Sequence, residues 1–327
     1  MSILSSVPKG IIRISTVFFF LILSCCNLKS DPIPETPQPF TTPLGKVYER
    51  NKASGKALQD YQEARRAYLN DTTDADLLIW YGRRTAYLGH YEDAITIYTS
   101  GIKKFPEDAR LYRHRGHRYI SLRQFDKAIA DLEKGAELIK GKANEVEPDG
   151  IPNAMNIPVS TLHGNIWYHL GLAYYLKQDY DNAYKAYLKC KESGENPDNL
   201  VSSTHWLYMI QRRLNNYSAA DSLLLPITPE LEVIENSSYH NLCLFYKGLI
   251  TEEDLLPEGE ASAASDAVAY GLANWYFTEE ESKKIEKGML LMTKIIEGDN
   301  WSSFGYIAAE TDLSNITIRK EPGAMSE

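Results

Sequence analysis

Apolar positions recur at helical spacing through most of this chain, and the recurrences come as paired segments of fixed length. One pair reads Leu78-x-Trp80-Tyr81-Gly82, then Tyr91-x-x-Ala94 and Tyr98, and closes on Phe105-Pro106. The next reads Tyr112-x-x-x-Gly116, Tyr119, Phe125-x-x-Ala128 and Leu132, so that Gly82 to Gly116, Tyr91 to Phe125 and Ala94 to Ala128 are each 34 residues apart. A third follows as Trp167-x-x-Leu170-Gly171-x-x-Tyr174, Tyr180-x-x-Ala183 and Tyr187. A fourth is degraded, with Trp206-Leu207-Tyr208 in place of the Leu-Gly step and Tyr217-x-x-Ala220 downstream. A weaker fifth pair runs from Asp266 to Ile296 through Tyr270, Gly271, Trp275 and Leu290, and an amphipathic stretch from Trp301 to Leu313 is expected to close the stack. Upstream, Leu58, Tyr61, Ala64 and Tyr68 predict one capping helix over 57–70. No period-two run of useful length interrupts these segments, so the pattern predicts an all-α chain.

The spacing breaks once. Gly171 follows Gly116 by 55 residues, one period plus 21, and the excess contains Pro148, Gly150, Pro152 and Pro158. Pro and Gly at that density exclude a continued helix, and predict an ordered loop between the second and third pairs. The N-terminus is different again. Lys9 and Arg13 precede an apolar run, Ile14 to Leu23, followed at once by Ser24, Cys25 and Cys26. A core of about ten apolar residues is too short for a bilayer of ~30 Å hydrocarbon thickness and fits a secretory leader. Pro32, Pro34, Pro37, Pro39 and Pro43 then read as a stiff extended tether. The resulting division is 1–24 leader, 25–45 tether, 46–74 capping helix region, 75–140 first two pairs, 141–163 insertion, 164–225 third and fourth pairs, and 226–327 degenerate helical repeats with a cap.

The 34-residue period, with small and aromatic residues at those positions, resembles the tetratricopeptide repeat (TPR) family. The resemblance implies a helix–turn–helix unit that stacks on copies of itself in a right-handed α-solenoid. The runs Leu111–Tyr119, Glu147–Gly150, Asn165–Gly171 and Thr204–Tyr208 are similar to a bacterial TPR family, a likeness that implies no particular activity. Ile22-Leu23-Ser24-Cys25 resembles a bacterial lipobox, with Leu at a position that usually holds a smaller residue and Cys26 as a competing site. It implies lipidation at Cys25 and an exported, membrane-anchored lipoprotein, periplasmic or cell-surface, of a Gram-negative-type bacterium.

Composition narrows the function. The 327 residues carry a net charge of −9, which becomes −11 once Lys9 and Arg13 leave with the leader, a poor balance for binding nucleic acid. The 22 Tyr and 5 Trp suit a solenoid packed on aromatics. Cys190 holds the small-residue slot occupied by Gly101 and Gly135 in the preceding pairs, and Cys243 sits on an apolar helix face; both read as small hydrophobes rather than a bridge. There is no Gly-rich phosphate loop, nucleophile elbow or Cys-x-x-Cys pair, so neither an enzyme nor a cofactor is expected.

The candidate chemistry is basic. Arg83-Arg84 lies in the first helix of one pair and Arg113-His114-Arg115-x-His117-Arg118 in that of the next. First helices line the concave side of a TPR superhelix, with groove positions at Ile79 and Arg83, Arg113 and His117, and Tyr168 and Leu172. The expected ligand site is therefore Arg83, Arg113, His117, Tyr168 and His205, accepting a protein or acidic peptide by charge-assisted contacts. Asp126, Glu92 and Asp93 are the acids expected to compete for these cations. The residues depart from the two-carboxylate clamp of chaperone-binding TPR domains. His114 and His117 lie three apart, but the arginines beside them oppose a metal, and Glu147, Asp149 and Asn153 lack EF-hand spacing, so no metal is expected. The alternative ligand is a small molecule or glycan, favoured if Tyr168, Tyr175 or Trp206 offers an aromatic platform.

Overall fold

The structure, a computed structural model, describes residues 34–50, 52–148, 153–255 and 263–320. The leader, Cys25 and the first part of the tether lie outside the described residues. Strands β1 (Phe40–Thr41) and β2 (Val47–Tyr48) form a short antiparallel hairpin, and fourteen helices follow among the described residues. They are α1 (Gly55–Asn70), α2 (Ala75–Tyr87), α3 (Tyr91–Lys104), α4 (Ala109–Ser121), α5 (Phe125–Leu138), α6 (Leu162–Leu176), α7 (Tyr180–Glu192), α8 (Pro197–Arg213), α9 (Tyr217–Leu223), α10 (Ser237–Tyr246), α11 (Glu252–Leu255), α12 (Ala263–Phe277), α13 (Ser282–Glu297) and α14 (Phe304–Lys320). The chain is an all-α solenoid of TPR type. Helices α2 to α9 are the four pairs read from the sequence.

Each pair is built by the same physics. Asp74 and Asp108 cap α2 and α4 by accepting hydrogen bonds from first-turn N–H groups, and Thr161 and Asn196 do so for α6 and α8. Where the two helices of a pair cross, Ala94, Ala128, Ala183 and Ala220 are fully buried. A Cβ on Gly82 would stand 2.4 Å from the Tyr98 ring, and one on Gly171 would stand 2.6 Å from Tyr187, so the tyrosine of each second helix lies directly on the glycine of its first. Both tyrosines are buried. Cys190 and Cys243 are buried free thiols, and burial alone raises the Cys190 pKa to about 12.

The insertion folds back along itself. Val146 bridges to Thr161, Glu147 N–H donates to Ser160 O, and Leu162 N–H donates to Glu145 O. It thereby lays Glu147 against α4.

Two segments pack otherwise than the periodicity predicts. Residues 40–45, assigned from sequence to the tether, turn into the hairpin instead, because Phe40 stacks on Trp301 with ring centroids 4.4 Å apart. Lys46 Nζ then donates to the carbonyls of Ile296, Glu297 and Gly298, satisfying the open C-terminal end of α13. The segment from Trp301, expected to close the stack, packs on α12 and α13 and also turns back across the first helices. Trp301 packs edge-on to Tyr91, and Phe304 lies against His117, Tyr168 and His169. Further along α14, Asp312 accepts hydrogen bonds from Arg213 and from Tyr270 of α12, and Tyr270 bonds Tyr175 of α6. The concave side of the solenoid is thus partly filled by its own C-terminal helices. Single-sequence periodicity reports that α14 is amphipathic; it does not report which face it covers.

Candidate functional site on the concave face

Arg113 is the centre of the basic cluster, and it is not free. Its Nε lies 3.3 Å from Glu147 Oε2 on the insertion, and its Nη1 donates to His114 Nδ1 at 2.8 Å. His114 Nε2 faces the other Glu147 oxygen at 3.1 Å. With Nδ1 accepting, the proton of a neutral His114 belongs on Nε2, toward the carboxylate. Burial first, and then the Arg113 charge, bring the His114 pKa down to about 3. Glu147 also accepts from Asn165 Nδ2 at 2.7 Å, and Arg113 with these hydrogen bonds overcomes its burial and holds its carboxyl below the usual carboxylate range.

Around this triad the positive charge is not balanced. Arg83 and Arg118 lie near enough to disfavour the charge on Arg113, although burial is the larger cause of its lowered pKa. Arg83 sits over Trp80, 4.4 Å from the ring centroid, and Arg118 over Tyr91 at 5.1 Å. Among the described residues neither has a carboxylate within ion-pair distance. Three guanidiniums therefore share one carboxylate. The acids expected to compete are engaged elsewhere: Glu92 with Arg50, Asp93 with His90, and Asp126 with Lys177. Arg115 turns away from the cluster to a bidentate pair with Asp131. Tyr87, 40% exposed, and Val146, 62% exposed, supply apolar surface on α2 and on the insertion beside Glu147.

The remaining predicted site residues are structural parts of the filled face. His117 lies between the His169 ring, 4.4 Å away, and the Phe304 ring, 5.3 Å away. Burial above all, then Arg118 and His169, press its pKa well below the ordinary value. His205 is buried between Tyr239 and Tyr246, with its pKa lowered by burial to about 3. Ile79 and Leu172 are buried, and so are Tyr175 and Trp206, which removes both as open aromatic platforms. Tyr168 keeps partial exposure; its hydroxyl accepts from Trp206 Nε1 and shares a hydrogen bond with Tyr239. The structure thus brings Arg83 and Arg113 together, and places Tyr168 and His205 in a separate aromatic cluster around α6, α8 and α10.

Models of the tetratricopeptide repeat match residues 82–143 and residues 164–193. These are the second helices, turns and first helices whose Gly–Tyr and Ala contacts are described above. Those two stretches are tetratricopeptide repeats. No curated protein matches the chain. Among solved structures it is similar to YrrB, described as a TPR protein with an unusual peptide-binding site, at 14% identity and a TM-score of 0.41, covering 79% of this chain and 99% of that one. A superposition that loose transfers nothing about binding.

In this TPR protein the site residue that sequence reasoning missed is Glu147. Its spacing to Asp149 and Asn153 argues against a cation site, and its carboxylate is spent on Arg113, His114 and Asn165. No local signal reveals this pairing, because it depends on where a 21-residue insertion returns.

Proposed function

We propose that this TPR protein is a non-catalytic, membrane-tethered scaffold that holds a protein or acidic peptide at the concave face of its first two repeats. The binding surface is Arg83, Arg113 and Arg118 with the exposed ring of Tyr87. One observation carries the reading: three guanidiniums with a single carboxylate among them, on a chain of net charge −9. That contrast favours an anionic partner, and Arg83 and Arg118, resting on aromatic rings, keep donors for its carboxylates. His117 and His205 belong to the packing of the face rather than to its surface. The tether rests on the lipobox-like sequence ending at Cys25. Among the described residues no helix is long and apolar enough to cross a membrane, so in this reading the anchor is the lipid.

The test is a titration of the full chain with acidic peptides that carry one aromatic residue, at two salt concentrations. Arg83→Ala and Arg118→Ala should each weaken binding by about tenfold, the effect of one charged hydrogen bond, with the loss shrinking at high salt. Equal affinities for wild type and both variants overturn the site. Separately, metabolic labelling with a fatty-acid analogue should lose its signal in the Cys25→Ala/Cys26→Ala variant; undiminished label refutes the anchor.

A further inference from the structure

A cleft lies on the other side of Phe304, between α6, the start of α8, the start of α10 and the returning arm of the insertion. It consists of two adjoining lobes of about 270 and 230 Å³ that share Glu235, Asn236, Tyr239 and Phe304. Each lobe falls just below the range of drug-sized pockets, about 300–1,000 Å³.

The walls are polar, without a cation, and their two carboxylates are already hydrogen-bonded. Asp198 is saturated, since its carboxylate accepts from the backbone N–H groups of Ile234, Glu235 and Asn236 at 2.7 to 2.9 Å. Glu235 accepts from Asn153 Nδ2 at 2.6 Å. His169 donates Nδ1–H to Asn165 O, and burial with the nearby Arg113 lowers its pKa to about 3, so it stands neutral. No lysine or arginine lines either lobe. What remains for a ligand is neutral hydrogen bonding. Ser160 Oγ and the side-chain carbonyls of Asn165 and Asn236 have no partner among the described residues. Tyr168 accepts from Trp206 Nε1, and Tyr168 and Tyr239 bond each other. Whichever of the two donates, one hydroxyl proton of the pair has no acceptor among the described residues. Phe304 adds a flat apolar wall common to both lobes.

A ligand that satisfies these walls is small, uncharged, rich in hydroxyls that both donate and accept, and apolar on one face. We propose that the cleft binds a neutral glycan of one or two rings, one in each lobe, with a sugar face on Phe304 and hydroxyls on Tyr239, Ser160 and Asn236. An anion finds no cation here and meets two carboxylates, while the Asp198 carboxylate is turned onto three backbone N–H groups and Glu235 onto Asn153, which leaves the neutral groups facing the lobes. The site is separate from the basic surface around Arg113 and stands or falls without it.

The experiment uses the full chain with a panel of neutral methyl glycosides and neutral disaccharides, read by saturation-transfer NMR and calorimetry. Glucuronate and glucosamine serve as charged controls. At least one neutral sugar should bind, a disaccharide more tightly than its component ring. Tyr239→Phe and Ser160→Ala each remove one hydroxyl from the surface of the cleft, and each should weaken binding by about fivefold to tenfold with the helical fold retained by circular dichroism. Silence across the neutral panel overturns the proposal. So does tighter binding of either charged control, or the same affinity in wild type and in the Tyr239→Phe/Ser160→Ala double variant.

Discussion

Arg123 donates from Nε to Glu310 Oε2 at 2.8 Å, fastening the turn of the second repeat to the last helix. Both side chains are buried, 6% and 1% exposed. Arg123 also donates to the carbonyls of Ser121 and Trp301, so the guanidinium is the bolt between the solenoid and the segment that fills its concave face. Removing one member of a buried pair leaves the other charge uncompensated, typically at about 3–5 kcal/mol. Glu310→Ala should lose that order of stability in urea titration. The double variant Arg123→Met/Glu310→Leu should lose clearly less than the two single effects combined, since no charge is stranded. A Glu310→Ala loss under about 1 kcal/mol would show that the two carbonyls satisfy Arg123 by themselves.

The turn that places Arg123 recurs. Gly89, Arg123, Gln178 and Asn215 hold the same position in the four repeats, and all have φ between 57° and 80°. A non-glycine residue there costs about 1–2 kcal/mol, offset in part by the ~0.4–1 kcal/mol entropic advantage of any side chain over glycine in the unfolded state. Gln178→Gly should therefore stabilise by about 0.5 kcal/mol, and Asn215→Gly by less, because asparagine tolerates this region. Gly89→Ala should destabilise although nothing lies within 4 Å of its added Cβ. Chemical denaturation checks all three, and a Gln178→Gly variant less stable than the parent refutes the argument.

At the helix crossings the limit is volume. Ala94 is fully buried, and Leu in its place should overpack the crossing and lose about 1–3 kcal/mol. Gly82→Ala is the sharper test. Its helix propensity gains about 1 kcal/mol, yet the new Cβ would stand 2.4 Å from Tyr98, whose ring is stacked on His114. Destabilisation in spite of better propensity, relieved in part by Tyr98→Leu, is the expected outcome of thermal melts. A stabilised Gly82→Ala variant would mean that Tyr98 moves aside freely.

The residues that repeat were legible, and those that do not repeat were not. Gly82, Gly116 and Gly171 with Tyr98, Leu132 and Tyr187 announce the pairs, because the same local contact is made each time and leaves the same residue types at the same interval. The contents of the concave face carry no period. Phe304 against His117, Glu147 against Arg113 and Phe40 against Trp301 join segments between 34 and 261 positions apart, and nothing at either end specifies its partner. The first helices of the repeats looked like a lined groove for the same reason: residues that face a ligand and residues that face the chain's own C-terminal helix read alike from one sequence. Arg83 and Arg118 differ from the other arginines of α2 and α4 in having no carboxylate partner among the described residues, which is a property of the folded chain.

The filled face also predicts a response to acid. His114, His169 and His205 have pKa values lowered to about 3, with burial the largest cause in each, and His117 lies well below its ordinary value for the same reason. In the unfolded chain each returns to about 6.5. Between those limits the unfolded state binds protons that the folded state refuses, so stability is unaffected above pH ~6.5 and falls as pH drops below it, by up to about 1.4 kcal/mol per unit for each imidazole. The carboxylate contribution has a different window. Glu147 is held below the usual range, so its stabilisation is complete above its unfolded pKa of about 4.5 and is lost only below that. A decline that begins near pH 6 therefore reports the histidines. Melting temperatures at intervals from pH 7.5 to 5 should fall progressively, and His205→Phe, which keeps the ring stacked between Tyr239 and Tyr246, should flatten the slope by roughly a fifth to a quarter, since the less buried His163 is also lowered and adds a smaller share. A melting temperature that stays level from pH 7.5 to 5 would show that these imidazoles take up protons inside the fold, and that the face around Phe304 admits water.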